Sequence, residues 1–340
     1  MISNRTLSLC VCALLVTSTL CRSEQMSDLT GKKIPFKLYG KYLVVVEGSI
    51  GGLKKKNFLI DTGTNPTIVD EQIAKQLQLR SLTGMPDSLP VVTGVVRATF
   101  AVLPHLQFGP IRRDSMKVVI EDLSPLHEKV GTRVDAVVGL DVLGGASFRI
   151  DYSQKAIIFG PLDVSASTVP FNSGPPFVTV PITIENRPLN LLVDTGTAGL
   201  VLFQSRLGAW HRGLPQLGMA TTSGLAGPIY LPVMQVTKAM IGNHEIGVRQ
   251  IYLSGGQNCC SFDGLIGISA DQMKEIGFDF ERKLFAWRLQ DRAIPTMSEA
   301  GLASCLPASA PGLVPRSQAS GALVAAFASG CESVSTPHRR

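Results

Sequence analysis

A four-residue string, Asp-Thr-Gly-Thr, occurs twice in this sequence, at residues 61–64 and 194–197, and it limits the possible folds more than any other feature. Each copy directly follows three apolar residues. Such an apolar run predicts a buried strand, and the glycine allows a sharp turn that passes close to neighbouring backbone. A single copy is expected by chance in roughly one chain of this length in a few hundred. Two copies behind matching apolar runs therefore predict two equivalent strand ends, each presenting an aspartate.

The two halves of the sequence also agree downstream of these strings. Residues 135–139 and 263–267 each begin with aspartate and end with two apolar residues and a glycine. Beyond each glycine, an aspartate follows after 12 residues and a lysine four residues later; these residues are Asp151 and Asp279, and Lys155 and Lys283. The agreement predicts an internal duplication. We expect the two lysines to mark the same strand in each half, and Asp135 and Asp263 to cap turns.

The composition favours an all-β fold. Glycine (33 residues) and proline (21 residues) are plentiful while only 6% of residues are aromatic, which suits many short strands joined by tight turns. We place an N-terminal lobe at residues 34–162 and a C-terminal lobe at residues 166–290. Few helices are expected, and all of them are short.

Three short helices are predicted. An apolar stripe indicates one over residues 70–79. Ser269 and Gln272 form a capping-box pattern that predicts a second helix after Gly267. The equivalence of the halves then predicts a third helix after Gly139.

The first 25 residues resemble a secretory signal peptide, with one basic residue followed by an apolar stretch over residues 7–20 and then small and polar residues. The apolar stretch is shorter than the roughly 20 residues that span a bilayer, which disfavours a permanent anchor. Cys21 suggests lipidation, but Leu20 is not the small residue that such processing prefers. We therefore expect an exported protein, either periplasmic or secreted, without a membrane span after cleavage.

The last 50 residues, 291–340, differ from the rest in composition. Ala, Ser, Gly and Pro make up more than half of them, without periodicity, which predicts a disordered tail. An apolar piece at residues 322–328 is too short to cross a membrane.

Charge and cysteine content exclude several classes of site. The formal net charge of +6 is spread along the chain, and its one local run, Lys54-Lys55-Lys56, predicts a solvated hairpin, so we expect no nucleic-acid partner. The five histidines show no ligand spacing, which predicts neither a metal site nor another cofactor. Three of the seven cysteines fall in or beside the signal; the four others leave open one bridge between an adjacent pair and the tail, and are Cys259, Cys260, Cys305 and Cys331.

Two aspartates at equivalent strand ends suggest a specific chemistry. Two carboxylates brought about 3 Å apart across a pseudo-twofold axis cannot both ionise, so they share a proton. One then acts as a base while the other acts as an acid. Asp61 and Asp194 are the candidates for this pair.

The paired motifs, each followed by an apolar-apolar-glycine segment, resemble the signatures of aspartic proteases of the pepsin and retropepsin superfamily. The resemblance covers about residues 34–290. Because the halves are short and nearly equal, the chain is most similar to a bacterial retropepsin-like domain duplicated in tandem within one chain. The resemblance implies two closed β-barrel lobes, an active-site cleft between them and an endopeptidase activity on polypeptide substrates.

The resemblance also assigns roles to the motif residues. Asp61 and Asp194 would hold and activate a water, and the two apolar-apolar-glycine segments would thread beside the catalytic loops. In each half, the first threonine would cross-link the loops, the glycine would direct its N–H towards a carboxylate, and the second threonine would donate to an outer carboxylate oxygen. In chain order these residues are Thr62, Gly63 and Thr64, and Thr195, Gly196 and Thr197. Donation by the second threonines would lower the pKa values of the pair, which predicts an acidic pH optimum.

Hairpins that would close over the cleft are harder to place. The candidates are centred on Thr93-Gly94 and Ser223-Gly224, and neither carries the aromatic residue that the family often has near the tip of this hairpin. Tyr230 is the nearest aromatic in the second lobe, where it is either the replacement or an ordinary core or surface residue.

Two other interpretations remain open. A secreted protein with the same two lobes would grip a peptide without cutting it, although both aspartates are present. Alternatively, each copy would pair with a second chain. The short linker, residues 160–168, and the symmetry of the repeat favour pairing within one chain, and hence a monomer.

Overall fold

The computed structural model describes residues 29–85, 88–91, 94–162, 166–174, 177–224, 227–255, 261–290 and 322–323. The predicted signal peptide, all seven cysteines and most of the predicted tail lie outside these residues. No helix within them is long and apolar enough to span a membrane. The described chain is built of strands with a few short helices, which confirms the predicted all-β class.

The first half of the chain, numbered in order, contains these strands: β1 (Lys33–Pro35), β2 (Lys37–Tyr39), β3 (Leu43–Ile50), β4 (Leu53–Ile60), β5 (Ile68–Asp70), β6 (Ser88–Val91), β7 (Gly94–Arg97), β8 (Thr99–Phe108), β9 (Ile111–Glu121), β10 (Ala136–Val138), β11 (Phe148–Asp151) and β12 (Ala156–Phe159). Its helices are Glu71–Gln76, Ser124–Val130 and Leu140–Leu143.

The second half contains these strands: β13 (Ser167–Pro170), β14 (Asn172–Gly174), β15 (Phe177–Ile184), β16 (Arg187–Asp194), β17 (Leu200–Phe203), β18 (Gln216–Gly224), β19 (Gly227–Gln235), β20 (Ala239–Ile241), β21 (His244–Glu245), β22 (Gln250–Ser254), β23 (Gly264–Gly267), β24 (Met273–Asp279), β25 (Leu284–Leu289) and β26 (Ala322–Leu323). It also has a helix, Gln204–Leu207, and a 3-10 turn, Trp210–Gly213.

Six strands of the first half close into a barrel in the order β3-β4-β10-β5-β9-β8. The ring closes because the end of β8 pairs back onto β3, with Leu106 opposite Ile50. β2 extends the sheet beside β3. A closed ring leaves few free strand edges and encloses an apolar interior.

The second half repeats this order of strands as β15-β16-β23-β17-β22. Where the first barrel has one long hairpin, β8 with β9, the second has two shorter pairs, β19 with β22 and β20 with β21. β20 then pairs with β15, as β8 pairs with β3. Only three residues separate β19 from β20, so the strand that pairs with β22 continues along the chain as the strand that pairs with β15.

A six-stranded antiparallel sheet joins the two barrels, in the order β1-β12-β11-β24-β25-β13. Each half of the chain contributes three strands, and β11 meets β24 at the centre, where Ile150 lies opposite Ile276. Lys155 and Lys283 occupy the left-handed positions of the two equivalent hairpins, with φ of 52° and 55°. Each lysine therefore lies in the turn directly before an equivalent strand, β12 or β25, rather than on the strand itself.

The strands that lead into the two Asp-Thr-Gly-Thr strings are buried on both faces, which explains their unbroken apolar runs. On β4, Phe58 and Ile60 face a core that extends through both barrels, while Leu59 faces a separate apolar cluster. On β16, Leu191 and Val193 face the same large core and Leu192 faces a third cluster.

Two of the three predicted helices are present. Glu71–Gln76 follows a side-chain cap from Asp70, and Leu140–Leu143 follows Gly139. The helix predicted after Gly267 is wrong. Ser269 does cap the N–H of Asp271, at 3.2 Å, but the chain forms only a turn before β24 begins at Met273. The longer β24 uses the residues that the helix would need.

Candidate active site

Each Asp-Thr-Gly-Thr string forms a loop at the end of a barrel strand and is held by a neighbouring parallel strand. β10 runs parallel to β4, and the N–H of Asp61 donates to the carbonyl of Val138 at 3.0 Å. β23 runs parallel to β16, with Asp194 opposite Gly267. The two apolar-apolar-glycine segments therefore lie beside the two loops, as the resemblance implied.

Glycine is required at the ends of both of these parallel strands. A Cβ on Gly139 would overlap the carbonyl oxygen of Thr64, and a Cβ on Gly267 would overlap that of Thr197. Each loop consequently packs directly on backbone that has no side chain. This close contact holds the backbone of each loop in place at the end of its strand.

The two loops are joined to each other by their first threonines. The N–H of Thr62 donates to Oγ1 of Thr195 at 3.1 Å, and the N–H of Thr195 donates to Oγ1 of Thr62 at 3.2 Å. Each hydroxyl then donates across to the carbonyl that precedes the other aspartate: Thr62 to Val193 at 2.7 Å, and Thr195 to Ile60 at 2.9 Å. The four hydrogen bonds form a symmetrical link between the halves of the chain.

This link brings Asp61 and Asp194 together. Both side chains are completely buried, and their carboxyl groups are close enough for one to donate a hydrogen bond to the other. A Cβ on Gly196 would lie 2.7 Å from Oδ2 of Asp61, so the second loop packs directly against the first aspartate. The two residues form one carboxyl pair at the junction of the barrels.

The two carboxyl groups differ in their hydrogen bonds. Asp61 accepts from the N–H of Gly63 at 2.8 Å and from the hydroxyl of Thr64 at 2.7 Å. Asp194 accepts from the N–H of Gly196 at 2.7 Å. Oδ2 of Asp194 and the hydroxyl of Thr197 are both buried, and neither makes a hydrogen bond of normal geometry within the described part of the chain. The predicted donation by the second threonine is therefore made with normal geometry at Thr64, whereas the hydroxyl of Thr197 lies near enough to Asp194 to lower its pKa without meeting that geometry.

Burial raises the pKa of each aspartate above the ordinary value for an aspartate side chain. The pKa of Asp61 is raised by burial and partly lowered by its hydrogen bonds, of which the one from Thr64 is the strongest. The pKa of Asp194 is raised well above 3.8, first by burial and then by the neighbouring charge of Asp61. Thr64 and Thr197 do lower the pKa values of the pair, as expected, but burial has the larger effect, so both pKa values are raised overall.

A network beneath the first loop was not foreseen from the sequence. The carboxylate of Asp141 accepts from both the N–H and the hydroxyl of Thr67, at 2.9 and 2.8 Å. Oγ1 of Thr67 accepts in turn from the N–H of Gly139 at 3.2 Å. The position of Asp141, two residues after that glycine, is the one signal that could have indicated this role.

Asp135 and Asp263 have matching structural roles. Each accepts a hydrogen bond of 2.9 Å from the backbone N–H of an asparagine on the strand that leads to a loop, Asn57 and Asn190 respectively. The two aspartates therefore hold the residues before β10 and β23 against the neighbouring strands β4 and β16, rather than capping turns as predicted. Among the described residues, no group of three or more His, Cys, Asp or Glu side chains could hold a metal ion.

Both predicted hairpins are formed. In the first, Gly94 begins β7 opposite Val91, while Thr93 lies outside the described residues. In the second, the backbone of Ser223 pairs with Pro228, and Gly224 with Gly227.

Tyr230 lies on β19, and 71% of its surface is exposed, whereas the next residue, Leu231, is buried. It is therefore a surface tyrosine.

Comparison of the whole sequence with curated proteins gives no match. Comparison with protein families gives one informative result. Residues 46–142, from within β3 to the helix Leu140–Leu143, match the family model described as aspartyl protease. The matched region includes the first Asp-Thr-Gly-Thr loop. The match supports assignment to an aspartyl protease family.

Proposed function

We propose that this protein is an aspartic-type endopeptidase that hydrolyses peptide bonds with a water activated by Asp61 and Asp194. The observation that carries the proposal is the joining of two equivalent loops by Thr62 and Thr195, which brings two buried carboxyl groups within hydrogen-bonding reach. A carboxyl pair of this kind holds one proton over a range of pH and can supply a base and an acid together.

The unequal environments of the two aspartates support different roles for them in this proposal. Asp61 accepts hydrogen bonds on both oxygens, which favours its ionised form. Burial and the neighbouring charge of Asp61 raise the pKa of Asp194 well above its ordinary value, and its Oδ2 makes no hydrogen bond of normal geometry among the described residues, which favours its protonated form. Asp61 therefore acts as the base that removes a proton from the attacking water. Asp194 acts as the acid that donates to the oxygen of the peptide carbonyl as it gains negative charge.

The two-lobed arrangement belongs to the same proposal. Both members of the pair come from one chain, and the hydrogen bonds between Thr62 and Thr195 are made within that chain. The central sheet, with three strands from each half, gives further support. We accordingly propose lobes at residues 34–162 and 166–290 that arose by duplication and act as a monomer. Export, inferred from residues 1–25, is part of the proposal.

The test is hydrolysis of an unfolded protein across a range of pH by the wild type and by Asp194→Asn, with Asp114→Asn as a matched control on an exposed aspartate. We expect cleavage by the wild type and by the control, and none by Asp194→Asn. Cleavage that persists in Asp194→Asn would exclude the dyad mechanism. Binding of the unfolded protein without cleavage at any pH would favour the peptide-binding alternative. A sizing experiment on the active protein would separate a monomer from a pair of chains.

A further inference from the structure

The second hairpin has an unprotected strand edge. No charged residue occurs between Arg212 and Lys238, a stretch that includes all of β18 and β19, and β18 contains no proline. Natural proteins usually protect an exposed edge with charges or proline, because free N–H and C=O groups pair readily with another extended chain. The first hairpin follows this rule, with Pro90 on β6 and Arg97 on β7. The edge strand β18, in contrast, contains neither a charged residue nor proline.

A segment of the same chain occupies this edge. β26, from the predicted tail, pairs in parallel with the end of β18, with Ala322 opposite Ser223 and Leu323 opposite Gly224. Both β18 and β26 also contact the helix Ser124–Val130, which packs on the N-terminal barrel. The segment thus lies between a hairpin of one barrel and a helix of the other.

The sequence of the tail suits this position. β26 begins the apolar piece at residues 322–328, and no charged residue occurs from residue 317 to residue 331. An extended chain reaches about 3.3 Å per residue. The roughly 30 residues between β25 and β26 can therefore reach the hairpin easily.

We propose that the edge of β18 is a docking site for an extended polypeptide, and that the chain's own C-terminal segment, beginning at Ala322–Leu323, is its occupant. Main-chain hydrogen bonds supply the affinity, as in other cases of strand addition, and neither the segment nor β18 contains a charged residue that would oppose the pairing. The hairpin that contains β18 is one of the two candidates for closing over the proposed cleft, and on that basis we expect the segment to compete with a polypeptide substrate. The competition rests on the proposed function, whereas the docking itself does not.

Hydrogen exchange in the full-length protein tests the docking. Ala322→Pro combined with Leu323→Pro removes the N–H groups of the segment. Leu302→Pro combined with Ala303→Pro makes the same change 20 residues earlier in the tail and is the control. We expect amide exchange at Ser223 and Gly224 to be about tenfold faster in the first variant and unchanged in the second. Equal exchange in the wild type and both variants would overturn the proposal. Protection lost on dilution would also overturn it, since the occupant would then be the tail of a second copy.

Peptidase kinetics test the competition separately. The segment does not contain Asp61 or Asp194, so the Ala322→Pro and Leu323→Pro variant should show a lower KM with an unchanged kcat, while the control keeps both values. Faster exchange with an unchanged KM would overturn the competition and keep the docking. If the wild type hydrolyses no polypeptide, the proposed function fails, and the exchange experiment still decides whether the segment docks.

Discussion

Thr62 and Thr195 each donate a backbone N–H to the hydroxyl of the other, at 3.1 and 3.2 Å, so that the two halves of the chain meet through a reciprocal pair of threonines. Both residues are completely buried. The geometry of the carboxyl pair depends on this link, because each threonine directly follows an aspartate.

Removal of one of these hydroxyls should destabilise the protein. In Thr195→Ala, the N–H of Thr62 and the carbonyl of Ile60 lose their partner in a buried site, at about 1–3 kcal/mol for each group. We expect the free energy of unfolding, measured with urea, to fall by at least about 2 kcal/mol. Thr195→Ser keeps the hydroxyl and should restore most of the loss. Equal stability of the Ala and Ser variants would contradict this role for the hydroxyl.

The parallel strands beside the loops should not tolerate a methyl group. Gly139→Ala and Gly267→Ala both place a Cβ against a loop carbonyl, and we expect each to lower the free energy of unfolding by about 1–3 kcal/mol. Gly213→Ala is the matched control, since a Cβ there meets nothing within 4 Å. A thermal or urea unfolding series would compare the three. An equal loss of unfolding free energy at all three glycines would show that the contact with the loop carbonyl does not exclude a side chain.

The pH profile of hydrolysis should reflect the raised pKa values. As pH rises, the pair loses its first proton and gains a base, so activity appears; as pH rises further, the pair loses its second proton and with it the acid, so activity disappears. The lower limb should therefore lie above 3.8, the ordinary value for an aspartate.

Thr64→Ala removes a hydrogen bond that lowers the pKa of Asp61, so it should move the lower limb to higher pH. Thr64→Ser is the control and should leave the limb in place. A lower limb that stays fixed, or moves to lower pH, in Thr64→Ala would contradict the assignment of Asp61 as the base.

Most of the site could be predicted from the sequence, because the backbone conformation of the two loops requires particular residue types at particular positions. Gly139 and Gly267 were recognisable as equivalent since only glycine fits beside a loop carbonyl. Thr62 and Thr195 were recognisable from their place in the repeated string. The strand pairs of both hairpins also followed from the sequence.

Other features depend on contacts that no local pattern encodes. The capping pattern at Ser269 was correct as a cap, but the length of β24 leaves no room for a helix. The brace between Thr67 and Asp141 joins residues 74 positions apart. Burial, which sets the direction of both pKa shifts, becomes known only when the barrels are assembled.

The most direct test of the central claim is the measurement of kcat/KM for peptide hydrolysis by Asp61→Asn, Asp194→Asn and the double variant. Two residues that act as one unit have strongly non-additive effects. We predict that each single substitution lowers kcat/KM by at least about 100-fold and that the double variant is no worse than the singles. A single variant with near wild-type activity, or a double variant in which the two losses multiply, would contradict a shared-proton pair of Asp61 and Asp194.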